Sequence, residues 1–124
     1  MIFLWIFLTV LAKEQTPKTE RAFSGKYLYE TAPGIYRCAE CKNALFKSED
    51  KYDSGAGWPS FTKPVETESV YYLEDWSLPF KRYEVLCRKC NSHLGHVFND
   101  GPPPKGLRYC INSVTLIHEI VYDH

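Results

Sequence analysis

One cysteine of the sequence stands between polar residues that could make it a nucleophile. In residues 107–112 the side chains alternate, so Cys110 would share one face of a β-strand with Arg108 and Asn112 while the other face is apolar. A nearby guanidinium favours the thiolate, which is the nucleophilic form, and thereby lowers the pKa of a cysteine. The segment therefore predicts a reactive thiol; a buried, unreactive free cysteine is the alternative.

Two histidines, His93 and His96, lie upstream of this cysteine. Residues three apart point to opposite faces of a regular strand, so the two imidazoles could act together only if Gly95 supplies a bulge or a turn. They could then serve as general acids near neutral pH. One alternative is a metal site that uses both histidines and a third ligand; another is one core histidine and one surface histidine.

Two further residues could complete a site. Trp58 lies in residues 53–61, a segment dense in Gly, Ser and Pro that predicts a loop. An indole on a stiff loop offers an apolar wall to a ligand, although it could equally pack into the core. Asp100 precedes a Gly-Pro turn, where it could cap the turn or pair with Arg108.

The other four cysteines form two C-x-x-C pairs, Cys38 with Cys41 and Cys87 with Cys90. Each pair can present two thiolates from one tight turn, and four thiolates suit tetrahedral zinc. The total of five cysteines is odd, so a complete set of internal disulfides is excluded. The spacing therefore predicts one structural zinc ion per chain; two redox dithiols or metal-free turns are the alternatives.

Strand signals dominate the elements that must position these residues. The chain has nine Tyr, seven Phe, three Trp and eight Pro against one Met, a mixture that favours strands and turns over long helices. Strand-like segments occupy residues 35–38, 69–73, 82–87, 107–112 and 114–121. The pattern predicts a mainly antiparallel β domain with few, short helices.

Length and charge limit the possible classes of protein. A chain of 124 residues suits one domain, and 44% hydrophobic with 24% charged residues is typical of globular proteins. Fifteen basic residues balance fifteen acidic ones, so there is no general positive field that would bind nucleic acid. We expect a single domain over residues 13–124 and no nucleic-acid partner.

Residues 1–12 form an apolar segment interrupted only by Thr9. The segment is shorter than the roughly 20 residues that span a bilayer, so no stable membrane span is expected. Its length fits the apolar region of a secretory signal, with residues 10–12 as a small-residue cleavage site, but no Lys or Arg precedes it. A trimmed leader or a buried N-terminal segment is the alternative, and the location stays open between cytoplasmic and exported.

Five sequence blocks follow one another in a characteristic order. They are residues 38–41 (CAEC), 54–61 (SGAGWPSF), 87–90 (CRKC), 92–102 (SHLGHVFNDGP) and 106–113 (GLRYCINS). Together they resemble the signature blocks of the peptide-methionine (R)-S-oxide reductases, the MsrB family, from about residue 19 to residue 116. The resemblance implies two antiparallel β-sheets, with a four-cysteine zinc remote from the active site.

The resemblance also implies roles for single residues. Cys110 is the catalytic nucleophile, and the residues that surround it are His93, His96, Asp100, Arg108 and Asn112. Trp58 contacts the substrate methyl group, and Phe98 completes an apolar pocket. The implied reaction reduces the R epimer of methionine sulfoxide, in proteins and also free, and leaves a sulfenic acid on Cys110. We expect a monomer.

The sequence departs from many family members at Ala56, where they carry a resolving cysteine. No internal thiol is then left to reduce an oxidised Cys110, so thioredoxin or a small thiol is the expected reductant. Two other functions stay open on the residues alone. One is a zinc-ribbon-like binding module without catalysis, and the other is a cysteine hydrolase that uses Cys110, His96 and Asn112.

Overall fold

The computed structural model describes residues 19–121, and nine β-strands lie in this part of the chain. The strands are β1 (Gly34–Cys38), β2 (Ala44–Lys47), β3 (Lys51–Tyr52), β4 (Ser60–Phe61), β5 (Val70–Asp75), β6 (Arg82–Cys87), β7 (His93–Phe98), β8 (Arg108–Ile111) and β9 (Leu116–Ile120). Three 3₁₀ turns, Ser48–Asp50, Thr67–Ser69 and Ser113–Thr115, are the helical elements described. The prediction of a mainly β domain with few, short helices is confirmed.

The strands form two antiparallel sheets. The smaller sheet has the order β2-β1-β9, and the larger sheet has the order β3-β4-β8-β7-β6-β5. Every pairing is antiparallel. The last strand, β9, pairs with the first strand, β1, in the smaller sheet. The two sheets implied by the family resemblance are thereby confirmed.

An aromatic cluster fills the space between the sheets. Phe46 of the smaller sheet stacks on Phe61 of the larger sheet, with ring centroids 4.5 Å apart, and Tyr36 meets Phe61 edge-on at 5.2 Å. All three side chains are fully buried. Burial of one such ring contributes about 1.5–3 kcal/mol to folding. The core thus covers one face of the larger sheet, and the other face of this sheet can carry polar groups.

One feature of the fold differs from the sequence expectations. The predicted loop over residues 53–61 ends instead in β4, a two-residue strand that lies between β3 and β8. Phe61 draws this strand into the core, and a run of two residues is too short to show a period. The apolar segment 1–12 lies outside the described residues. Across residues 19–121, no helix has the length and apolar character needed to cross a membrane.

Candidate active site

A row of polar side chains crosses the larger sheet on the face away from the core. Tyr52, Ser60, Cys110, His96 and Glu84 are successive cross-strand partners on β3, β4, β8, β7 and β6. Directly paired residues point to the same face of a sheet, so these five side chains lie side by side. The alternation around Cys110 that the sequence showed is therefore the alternation between core and site.

A β-bulge places both histidines on this face. In the pairing of β6 with β7, Val85 faces Gly95 while Leu86 faces His93, so Leu94 is the extra residue. The bulge reverses the usual alternation, and the two imidazole rings approach to 5.6 Å between centroids. The sequence analysis required a bulge here, but assigned it to Gly95 rather than to Leu94.

Gly95 has a different function in the packing of β7 against β8. A Cβ atom at this position would lie 2.0 Å from the carbonyl oxygen of Cys110. Such a distance is far below van der Waals contact, so only glycine permits the observed approach of the two strands. The neighbouring His96 is thereby held directly opposite Cys110.

Cys110 opens onto a cavity of about 230 Å³. Six residues that the sequence analysis assigned to the active site line it: Trp58, His96, Phe98, Arg108, Cys110 and Asn112. His93 and Asp100 lie outside the lining. The structure thus brings the predicted nucleophile, one histidine and two aromatic side chains together in one concave site.

Arg108 is the cation nearest to the thiol. Its Nη1 lies 3.4 Å from Cys110 Sγ, and its Nε and Nη2 donate to the two carboxylate oxygens of Asp100 at 2.8 and 3.1 Å. The guanidinium also lies 4.4 Å from the centroid of the Phe98 ring. A bidentate carboxylate and a stacked ring hold the guanidinium in one orientation. Asp100 therefore acts on the cysteine through Arg108.

Burial has the largest effect on the pKa of the Cys110 thiol. Cys110 is only 8% exposed, and this burial raises the pKa of its thiol above the ordinary value. The Arg108 guanidinium and the Ser60 hydroxyl act in the opposite direction but do not outweigh it. The effect expected of Arg108 is present, but burial outweighs it, so the net shift of the thiol pKa is upward.

His96 contacts Asp75, a residue that the sequence analysis did not single out, and Asp75 in turn binds Arg82. Its Nε2 lies 2.7 Å from Asp75 Oδ2, and Nη2 of Arg82 donates to the same oxygen at 3.0 Å. Burial lowers the pKa of His96, while the hydrogen bond to Asp75 raises it. Asp75 and Arg82 are direct partners at the ends of β5 and β6. No local pattern predicted the contact of Asp75 with His96, because it joins two strands, β5 and β7, that are far apart in the sequence.

His93 lies behind His96 rather than in the cavity. Its Nδ1 is 2.6 Å from Glu84 Oε2, and within residues 19–121 its buried Nε2 has no hydrogen-bond partner. His93 thus lies beside His96 on the same face of the sheet, but outside the cavity lining.

The cavity wall is fixed by hydrogen bonds to the backbone of Glu20. Trp58 Nε1 donates to the carbonyl of Glu20 at 3.0 Å, and the backbone N–H of Glu20 donates to Asn112 Oδ1 at 3.0 Å. The side-chain amide of Asn112 in turn donates to the carbonyl of Leu94 at 3.0 Å. Asn112 therefore connects the indole wall with the histidine strand.

The four remaining cysteines form a separate cluster. Their Sγ atoms all lie within 4.8 Å of one another, and the shortest separations are 3.5 Å, for Cys38 with Cys90 and Cys41 with Cys87. These distances exclude disulfides, whose sulfurs are about 2.05 Å apart. Tetrahedral zinc with Zn–S bonds of about 2.3 Å places its sulfurs about 3.8 Å apart. The cluster thus fits one such ion.

Two equivalent turns present these thiols. The N–H of Lys42 donates to the carbonyl of Cys38, and the N–H of Asn91 donates to that of Cys87, each at 2.8 Å. Lys42 and Asn91 both have left-handed backbone angles, with φ of 68° and 67°. One turn follows β1 and the other follows β6, so the cluster joins the two sheets.

Comparisons with known proteins agree with this site. The SelR domain family matches residues 9–119. The peptide methionine sulfoxide reductase MsrB of Pseudomonas aeruginosa is 59% identical over 98 residues, which cover 79% of this chain and 74% of that protein. The enzyme of the same name from Pasteurella multocida is 50% identical over 101 residues, covering 82% of this chain and 78% of that protein.

The fold has a more distant relative among solved structures. The crystal structure of the Mis18 Yippee-like domain superposes with a TM-score of 0.57 at 19% identity, covering 73% of this chain and 99% of that one. At this identity the likeness concerns the fold alone. The family match and the MsrB relatives confirm the resemblance seen in the sequence blocks: the chain belongs to the SelR domain family and is a peptide methionine sulfoxide reductase of the MsrB type.

Proposed function

We propose that this enzyme reduces the R epimer of methionine sulfoxide, in proteins and also free, by attack of Cys110 on the sulfoxide sulfur. The observation that supports this proposal is the position of Cys110 Sγ, in a cavity walled by Trp58 and 3.4 Å from the Arg108 guanidinium. The roles proposed for the residues are those that the family resemblance implies, applied to the geometry of the site.

The chemical step transfers one oxygen atom between two sulfurs. The sulfoxide oxygen is a poor leaving group until it gains a proton, and the resting thiol of Cys110 must lose one. His96 lines the same cavity and passes this proton from sulfur to oxygen, directly or through a water molecule. The methionine sulfur gains the two electrons that the Cys110 sulfur loses. The products are methionine and a sulfenic acid, Cys110–SOH.

Recycling of the enzyme needs thiols from outside the chain. A first thiol attacks the sulfur of Cys110–SOH, releases water and forms a mixed disulfide. A second thiol then attacks this disulfide and returns Cys110 to the reduced form. Ala56 occupies the loop position beside the cavity, and the other four cysteines are gathered in their own cluster. Thioredoxin or a small thiol is the proposed reductant.

The cavity can distinguish the two epimers because its walls differ in polarity. Trp58 forms an apolar side for the S-methyl group, and Phe98 adds apolar surface next to Arg108, while His96 and Arg108 form a polar side for the oxygen. With Cys110 fixed as the third point, only one arrangement of methyl and oxygen around the sulfur satisfies both sides. The opposite epimer would put its oxygen against the indole, without a hydrogen-bond donor.

The four-cysteine cluster is proposed to hold one structural zinc ion. Burial raises the pKa of the Cys38 thiol, so a cation is needed to keep this sulfur ionised. Cys87 ends β6, whereas Arg82, at the start of the same strand, lines the cavity. The zinc site and the active site thus lie at opposite ends of one strand. The zinc stabilises a single catalytic domain over residues 13–124 and takes no part in the redox step.

An epimer-resolved assay tests this function. The purified full chain is offered the R and S forms of N-acetylmethionine sulfoxide separately, with dithiothreitol as reductant, and the formation of N-acetylmethionine is followed by chromatography. Consumption of the R form alone is the expected result. Preference for the S form, or no turnover of either form, contradicts the proposal.

A further inference from the structure

A carboxylate outside the cavity lining contacts the histidine inside it. Asp75 Oδ2 lies 2.7 Å from His96 Nε2, at the end of the edge strand of the larger sheet. We propose that Asp75 is a positioning residue, which fixes the proton on His96 Nε2 and thereby leaves His96 Nδ1 as the atom that exchanges protons with Cys110 and the sulfoxide. The inference rests on the proposed function and assigns a residue to its proton transfer.

Asp75 is held so that it remains an ionised acceptor. The backbone N–H of Ser77 donates to Oδ1 at 2.9 Å, and Nη2 of Arg82 donates to Oδ2 at 3.0 Å. The hydrogen bonds from Ser77 are the largest cause that keeps the pKa of Asp75 well below its usual range. The carboxylate is therefore ionised at any pH at which the enzyme would work.

An ionised carboxylate can only accept a hydrogen bond. The short contact with His96 Nε2 therefore requires a proton on that nitrogen, both in the neutral ring and in the imidazolium. In the neutral ring Nδ1 then carries the lone pair and is the base. Because burial keeps His96 neutral and Cys110 protonated at rest, the free nitrogen can receive the thiol proton when substrate binds.

Arg82 holds the Asp75 carboxylate in the orientation in which it contacts His96. Its guanidinium bonds Asp75 Oδ2 and, at 3.3 Å, the hydroxyl of Ser77. Arg82 also lines the cavity, so the guanidinium that binds Asp75 borders the site. The carboxylate cannot rotate away from His96 without breaking the contacts with Ser77 and Arg82 together.

The wild-type protein provides the first test. Long-range ¹⁵N–¹H correlation spectra of uniformly labelled enzyme, at a pH where His96 is neutral, distinguish the two tautomers directly. We expect His96 to carry its proton on Nε2. A proton on Nδ1 overturns the inference, whatever any variant does. This measurement needs no activity, so it is independent of the proposed reaction.

The second test compares Asp75→Asn with the matched control Glu74→Gln. Glu74 neighbours Asp75 on the same strand, loses the same charge, and is exposed without contacting His96. Single-turnover formation of Cys110–SOH from the R sulfoxide is followed by rapid quench. We expect a loss of roughly 10²-fold for Asp75→Asn, the lower bound usual for general acid–base catalysis, and a tautomer shift of His96. Glu74→Gln retains the wild-type rate.

The outcomes separate the inference from the proposed function. If Asp75→Asn keeps both the Nε2 proton and a rate within about twofold of Glu74→Gln, Asp75 has no positioning role. If the wild-type enzyme forms no sulfenic acid at all, the proposed function fails while the tautomer spectrum still decides the inference. Thermal unfolding of both variants shows whether a lost rate reflects a lost fold, in which case the wild-type spectrum alone decides.

Discussion

Cys110 and His96 are direct partners across β8 and β7, and both side chains line one cavity. Burial raises the pKa of the thiol and lowers the pKa of the imidazole, so both groups are neutral at rest. In the proposed reaction, the attacking sulfur is therefore also the source of the proton that the sulfoxide needs. The pair would then be ionic only while the substrate is being reduced.

Replacing Cys110 by Ser should abolish turnover without affecting the metal site. Serine keeps the size and hydrogen bonding of the side chain but is far less nucleophilic than a thiol. We expect less than about one thousandth of the wild-type rate, with unchanged zinc content and thermal unfolding. Appreciable residual reduction of methionine sulfoxide would refute the assignment of Cys110 as nucleophile.

Replacing Cys87 by Ser should release the metal and destabilise the fold. Cys87 is fully buried at the end of β6, and its cluster joins the two sheets. Loss of one thiolate leaves an incomplete coordination shell, and metal binding energy is folding energy in such sites. Zinc content by elemental analysis and the midpoint of thermal unfolding are the measurements. Cys110→Ser serves as the control cysteine variant, and retention of one zinc per chain in Cys87→Ser would argue against the four-thiolate site.

Reaction with one equivalent of R sulfoxide and no reductant should leave a sulfenic acid on Cys110. The four other thiols lie in their own cluster, where the proposed zinc would bind them, so we expect no internal partner to trap the oxidised sulfur. Dimedone labelling followed by peptide mass spectrometry should find one adduct, at Cys110. A disulfide between Cys110 and a cluster cysteine contradicts this expectation and the recycling route together.

The reactivity of Cys110 should depend on pH through two opposing effects. Burial places the midpoint of its alkylation by iodoacetamide above that of an exposed cysteine, because the thiolate forms only at higher pH. Arg108→Met removes the cation that favours the thiolate, so the midpoint should rise further, by about one pH unit.

The matched control for this variant is Arg37→Met. Arg37 is paired with Glu119 on the smaller sheet, away from Cys110. Its replacement by Met should therefore leave the alkylation midpoint of Cys110 unchanged. A midpoint that falls in Arg108→Met, or that moves equally in both variants, shows that the guanidinium does not stabilise the thiolate.

Much of the site could be predicted because its residues are close in sequence. The alternation of residues 107–112 placed Cys110, Arg108 and Asn112 on one face, and β8 confirms it. The two C-x-x-C pairs predicted a four-cysteine cluster, since each pair is a complete local turn. In these cases the chemistry depends on spacing within a single element, which a sequence shows directly.

Other parts depend on contacts between elements and could not be predicted. The contact of Asp75 with His96 joins β5 and β7, which are separated by β6 in the sheet, so it depends on the placement of three strands side by side. Similarly, β4 exists because β3 and β8 pair with it on both sides, while its own two residues show no period. The net effect of burial on the pKa of Cys110 also depends on the packed fold rather than on its strand neighbours.

The absence of a side chain at Gly95 sets the distance between β7 and β8. Because a single methyl group there would collide with the carbonyl of Cys110, even Gly95→Ala would separate the strand of the proton carrier from the strand of the nucleophile. The spacing between imidazole and sulfur is thus fixed by backbone contact, which leaves the chain little freedom to adjust it for a bulkier or smaller oxidised thioether. Gly95 itself lines the cavity, so the residue that lets the two strands approach also leaves open space beside the thiol.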